Sequence, residues 1–137
     1  MQLRECVVVF GGGGWVSTLR DYVRFAEAIR NNGALHAVRI LSPKTVEYMS
    51  TDHLPGSISR SAQANPTPGG PGRPFVGFGY GLGFGIATDT VLSRVMGSNG
   101  ELYWGGRART NFSIDPVEEI VVVSMMHAYA WLAFLWS

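Results

Sequence analysis

The chain has 137 residues, 46% of them hydrophobic, with eleven basic and ten acidic side chains for a formal net charge of +1. That length supports one small domain burying roughly 65–70% of its unfolded surface. The charge balance, with no like-charged run, gives no electrostatic case for nucleic acid, and the single Cys6 excludes an internal disulfide and a cysteine-built metal site.

The first apolar stretch, Cys6 to Phe10, is too short for the apolar region of a signal peptide and no small-residue cleavage site follows. The expectation is therefore a cytoplasmic location by default. Gly11 to Gly14 is a flexible break, after which Ser17 or Thr18 can cap a helix. Leu19, Tyr22, Val23, Phe25, Ala26 and Ile29 recur at helical spacing, and Asn31-Asn32-Gly33 ends the run with a glycine suited to a left-handed cap. Ser42-Pro43 opens a second helix, with serine as cap, proline in the first turn, and Val46, Tyr48 and Met49 on its apolar side. From Leu54 to Pro74 the chain is rich in Pro, Gly and Ser, the composition of a functional or a disordered loop.

The last third reads as β structure. Phe78 to Ala87 alternates glycine with Phe78, Tyr80, Leu82, Phe84 and Ile86, which predicts one strand with a bulky face and a bare one. Val91 to Met96, Glu101 to Trp104, Thr110 to Ile114 and Glu119 to Met125 predict further short strands, punctuated by Gly97-Ser98-Asn99-Gly100, Gly105-Gly106 and Asp115-Pro116. Short connections of this kind predict an antiparallel meander. The uncharged run from Ile120 to Trp136 is at the lower limit for a membrane span. Its β-branched start, and the interruption by Ser124 and His127, favour a strand followed by an apolar helix or tail. The expected architecture is α+β: a single domain over residues 1–137, with an antiparallel sheet of about five strands and packed helices. Trp15, Phe25, Phe84, Ile86, Ile114 and Val122 are the expected core residues.

Gly11 to Thr18, Asp21 to Phe25, Val38 to Val46 with Met49 and His53-Leu54, Gly79 to Gly85, Tyr103 to Gly106, and Ile114-Asp115-Pro116 with Val121 to Val123 form an ordered series of motifs. In that order and spacing they resemble the C-terminal part of the class C β-lactamase-like serine hydrolases, which include esterases of the penicillin-binding-protein fold. The resemblance runs from about Gly11 to Met126. It implies late helices of the helical region followed by the last strands of the sheet, and a hydrolase, esterase or lipase, acting on carboxylic esters.

The chemistry of that family needs three motifs. A Ser-x-x-Lys at a helix start lets the amine accept the hydroxyl proton, so that the oxygen can form an acyl-enzyme. A Tyr-x-Asn or Ser-x-Asn supplies a second proton-transfer group. The third motif, Lys-Thr-Gly or Trp-Gly-Gly, flanks the pocket, and a backbone N–H just after it holds the oxyanion. Only the third is present, as Trp104-Gly105-Gly106, with the Arg107 N–H falling on the oxyanion donor; the chain has no Ser-x-x-Lys and no Tyr-x-Asn. The resemblance implies that Trp104, where β-lactamases carry lysine, favours neutral esters. The resemblance also implies small residues and a glycine after Trp-Gly-Gly, where Arg107 and Arg109 would here crowd and charge the pocket edge.

Ser50 with His53, and Ser124 with His127, are the serine–histidine pairs nearest in sequence, and ordinary helix, strand or loop usage accounts for both. The histidines are dispersed and Gly11 to Gly14 lacks the Gly-Lys-Ser/Thr of a phosphate loop, so no metal and no cofactor is expected. Two readings remain: a serine hydrolase with a small ester substrate, or a non-catalytic fragment that self-associates through an exposed sheet edge and the apolar tail from Ala128 to Ser137.

Overall fold

In the computed structural model, which describes residues 16–54, 77–106 and 109–127, Thr18 opens the first helix. Its hydroxyl oxygen accepts from the Asp21 N–H at 3.1 Å, closing an orphan donor, and the hydroxyl donates to the Asp21 carboxylate at 2.8 Å. Helix α1 then runs Leu19–Arg30 and stops at Asn31. Asn32 and Gly33 both adopt positive φ, 55° and 87°, and the Gly33 N–H reaches back to the Ala28 carbonyl at 2.7 Å, a left-handed helix end. The hairpin β1 (Ala34–Leu35) and β2 (Val38–Arg39) leads into α2, Pro43–Met49, capped by the Ser42 hydroxyl on the Thr45 N–H.

The sheet follows. Strands β3 (Phe78–Tyr80), β4 (Gly85–Ala87), β5 (Leu102–Gly105), β6 (Asn111–Asp115) and β7 (Ile120–Ser124) form an antiparallel meander in the order β3-β4-β5-β6-β7. The segment from Phe78 to Ala87 is thus two strands rather than one. The chain doubles back at Gly81–Phe84, where the Gly81 N–H donates to the Phe84 carbonyl at 2.8 Å and Gly83 takes φ 89°. Gly81 must also be a glycine for packing, because a Cβ there would stand 2.1 Å from the Met49 carbonyl oxygen. Because Gly79 pairs with Ile86 and Tyr80 with Gly85, Phe78 and Tyr80 lie on the face opposite Phe84 and Ile86.

The strand expected over Val91 to Met96 is instead a short helix, α3 (Thr90–Ser93), ended by Arg94 at φ 57°. Asp89 decides it: one carboxylate oxygen accepts the Val91 and Leu92 N–H groups at 3.0 and 2.9 Å. Local capping outweighs the β-branched composition. Val91, Leu92, Val95 and Met96 remain exposed.

The row Ile86–Leu102–Ile114–Val121 runs across four strands on the face that α1 covers. With Ala26, Ile29, Val46 and Phe84 it makes the core, and each large aliphatic buried there contributes about 1.5–3 kcal/mol. Phe84, Ile86 and Ile114 are core residues as expected. Phe25 and Val122 are not, at 40% and 54% exposure. Tyr22, Ala26 and Ile29 form the inward stripe of α1, and Phe25 lies beside it, its ring edge-on to Tyr22 at 6.0 Å. Val122 alternates with Val121 and points to the opposite face. Trp15 lies outside the described residues.

Asp115, only 6% exposed, anchors the β6–β7 turn. Its carboxylate accepts the Val117 and Glu118 N–H groups at 2.9 and 3.0 Å and the Ser98 N–H at 3.1 Å, tying this turn to the one before β5. No helix among the described residues is long and apolar enough to cross a membrane.

Candidate active site

Trp104, Gly105 and Gly106 sit where β5 ends. Trp104 pairs with Phe112 and Gly105 with Asn111 on β6, and the Gly106 N–H donates to the Thr110 carbonyl at 2.7 Å. The Arg109 N–H returns to the Gly106 carbonyl at 2.9 Å, so the described ends of the β5–β6 connection are held together. Arg109 takes φ 69°, the left-handed region that favours glycine. Here an arginine is held in that conformation. Arg107, expected to supply the oxyanion N–H, lies outside the described residues.

A groove of about 740 Å³ opens beside the strand end. Trp104, Gly105 and Gly106 form one side, Tyr22 of α1 and Phe112 of β6 contribute aromatic surface, and the exit of β7 brings Ser124 and His127. Two sets of ring contacts brace these aromatics: Phe112 meets Tyr22 at 5.5 Å and Phe84 of the core at 5.9 Å, and Trp104 stacks edge-on to Tyr80 at 5.1 Å. Trp104 is 39% exposed, so its indole is part wall and part surface. Desolvation by burial pushes the Tyr22 phenol above its ordinary pKa. It stays protonated at neutral pH and can donate a hydrogen bond to a ligand oxygen. Among the described residues no Asp, Glu, Lys or Arg lines the groove, and that part of the lining suits an uncharged, largely apolar occupant with a few polar contacts.

The two serine–histidine pairs separate in space. Ser124 and His127 both line the groove. Ser50 and His53 do not: the His53 ring packs on Tyr48 at 4.6 Å and its Nε2 lies 2.8 Å from the Tyr48 carbonyl oxygen, a helix-end arrangement. Ser17 and Tyr22 are groove residues that the pattern of the sequence assigned only to a cap and an apolar stripe. Tyr22 carried one signal, as the only residue of that stripe with a polar tip. Among the described residues no cluster of three or more His, Cys, Asp or Glu could hold a metal ion.

A five-stranded antiparallel sheet backed by α1, with a glycine-ended strand at a groove, is the arrangement of the β-lactamase and penicillin-binding-protein fold. The chain belongs to the β-lactamase family, whose model matches residues 2–133. Two curated relatives from Mycobacterium tuberculosis, the protein Rv1367c and the uncharacterized protein MT1414, are each 34% identical over 120 residues, covering 85% of this chain and 28% of their own length. The chain thus spans less than a third of the curated relatives it matches. Among solved structures, EstCE1, a hydrolase with promiscuous acyltransferase activity, superposes with a TM-score of 0.60 at 27% identity, over 81% of this chain and 25% of that one. Simvastatin synthase (LovD) from Aspergillus terreus shares the fold, with a TM-score of 0.60 at 21% identity over 77% of this chain and 27% of its own.

Proposed function

We propose that the chain is part of a serine hydrolase that transfers acyl groups from carboxylic esters, and that it supplies one wall of the acyl pocket rather than the nucleophile. The observation that carries this reading is the groove against Trp104-Gly105-Gly106, whose described lining is uncharged and rich in aromatic surface, in a chain of the β-lactamase family. In such a reaction a serine oxygen adds to the ester carbonyl while its proton passes to a neighbouring base. The carbonyl oxygen becomes an oxyanion held by backbone N–H groups, and the alcohol leaves with a proton as the acyl-enzyme forms. Water then adds to the acyl carbonyl and releases the acid, or a second alcohol takes the acyl group.

The residues of this chain fit the binding half of that sequence. Trp104, Tyr22 and Phe112 offer flat apolar surface to an acyl chain, and the protonated Tyr22 hydroxyl offers a donor. The Ser-x-x-Lys and Tyr-x-Asn that would generate the nucleophile are not in the 137 residues. Incubation of the purified chain with a fluorophosphonate, with adduct mapping by mass spectrometry and p-nitrophenyl butyrate turnover measured alongside, tests the assignment. No serine adduct and no turnover above a heat-treated control is expected. An adduct at Ser124 or Ser17, with turnover lost in the corresponding alanine variant, would instead place the nucleophile within this chain.

A further inference from the structure

The two outer strands of the sheet are finished differently. At β3 the Tyr80 N–H donates to the Asp52 carboxylate at 2.9 Å and the Tyr80 carbonyl accepts the His53 N–H at 2.9 Å, so the chain just after α2 closes that edge. At β7, nothing among the described residues bonds the outer edge. The strand also lacks the devices that keep a free edge from pairing. Ile120–Ser124 contains no charge, proline or glycine. Its register with β6 is one to one, from Ile120 opposite Asp115 to Ser124 opposite Asn111, so no bulge twists the edge away. Ile120 and Val122 stand exposed on the face away from α1.

We infer that β7 is an interaction surface for a second copy of this chain, the two strands pairing antiparallel about a twofold axis at Val122. The self-complementarity of the strand is what selects a second copy as the occupant. An antiparallel pair centred on Val122 sets that residue against its own counterpart, Val121 against Val123 and Ile120 against Ser124. The flanking acids never meet each other, because Glu119 falls opposite Met125 and Glu118 opposite Met126. Each copy gives the edge backbone groups of the other the partners they lack. The helices permit the pairing: α1 lies over β6 and β7, so the two copies of α1 rest about two strand spacings apart, roughly 10 Å, an ordinary helix-packing distance. A pair of five-residue strands buries less than the ~1,200 Å² of a small standard interface, so the dimer is weak and exchanges rapidly.

Sedimentation equilibrium of the full chain, from about 5 to about 500 μM, tests it. The mean mass should climb from 14.9 kDa toward twice that value as concentration rises. Val122→Lys and Val122→Glu each set like charges face to face at the axis, and each should hold the mass at the monomer value. An equimolar mixture of the two should dimerise about tenfold more tightly than either alone, because lysine then faces glutamate. Met96→Lys, at an exposed side chain beyond α3, should leave the association unchanged. Hydrogen exchange of the unmodified chain reads the same surface without a substitution, as amide protection within Ile120–Ser124 that rises with concentration. A wild-type chain that stays monomeric at the highest concentration overturns the inference. So does an association that survives Val122→Lys or is abolished by Met96→Lys, or a mixture that associates no better than its components. Protection of β7 that is independent of concentration in a monomeric chain overturns it as well, and assigns the edge to another segment of the same chain.

Discussion

Asp115 carries much of its turn through one buried carboxylate. Burial alone would raise its pKa, but the hydrogen bonds from Glu118, Ser98 and Val117 outweigh that and hold it below the ordinary aspartate value. Because the folded-state value is the lower one, its contribution to stability is fully present above the unfolded pKa and is lost as pH falls through the folded one. Asp115→Ala would orphan three backbone N–H groups and should cost about 2 kcal/mol at pH 7 in chemical denaturation. That deficit should narrow below about pH 4, where the wild-type carboxylate also becomes neutral. A deficit independent of pH would mean that the carboxylate acts only by filling space. The sequence marked Asp115-Pro116 as a turn, but it gave no sign that the same carboxylate also holds Ser98. Contacts between residues seventeen apart in sequence arise from tertiary packing. Arg109 is the reverse case, since the resemblance singled it out only as a charge after Trp104-Gly105-Gly106, and its positive φ, in the region that favours glycine, shows only in the backbone.

Elements were legible wherever their ends are set by local chemistry. Thr18, Asp21 and the Asn31-Asn32-Gly33 stop bound α1, and each acts within a turn or so of its own position. Thr18→Ala should therefore destabilise the chain by about 1 kcal/mol, read as a lower melting temperature by circular dichroism, while Thr18→Ser retains most of the stability. An unchanged melting temperature in Thr18→Ala would show that the docking of α1 on β6 and β7, rather than its cap, sets its stability. The two misread elements failed for opposite reasons. In Phe78 to Ala87 the period-2 alternation of bulky residues and glycine continues through a reversal, because the glycines that look like a bare strand face are the residues that let the chain turn and approach Met49. Over Val91 to Met96 the strand-like composition is genuine, but Asp89, just upstream, captures two backbone N–H groups and winds the chain into α3. Expectations for Phe25 and Val122 erred by a single step of helical or strand phase, which is enough to move a side chain from the core to the surface.

At the scale of the molecule, family and sheet order were readable because the motifs recur in order along the chain, and the five-stranded meander matches that expectation. The groove was not readable as a unit. Its walls come from α1, the β5–β6 hairpin and the exit of β7, so Tyr22, Trp104 and His127 meet only once the sheet has stacked on the helix. The same assembly leaves Ile120 and Val122 exposed on β7, at 51% and 54%, while Val121 packs against the core. The acyl-pocket account makes its most direct claim about where a neutral ester settles. Titration of the isotope-labelled chain with methyl 4-phenylbutyrate, followed by two-dimensional amide and indole NMR, measures that location. Saturable shifts centred on the Trp104 indole and the Gly105 and Gly106 amides, lost in Trp104→Ala, are the predicted result. Shifts centred on another surface, or groove shifts that survive Trp104→Ala unchanged, would contradict the account.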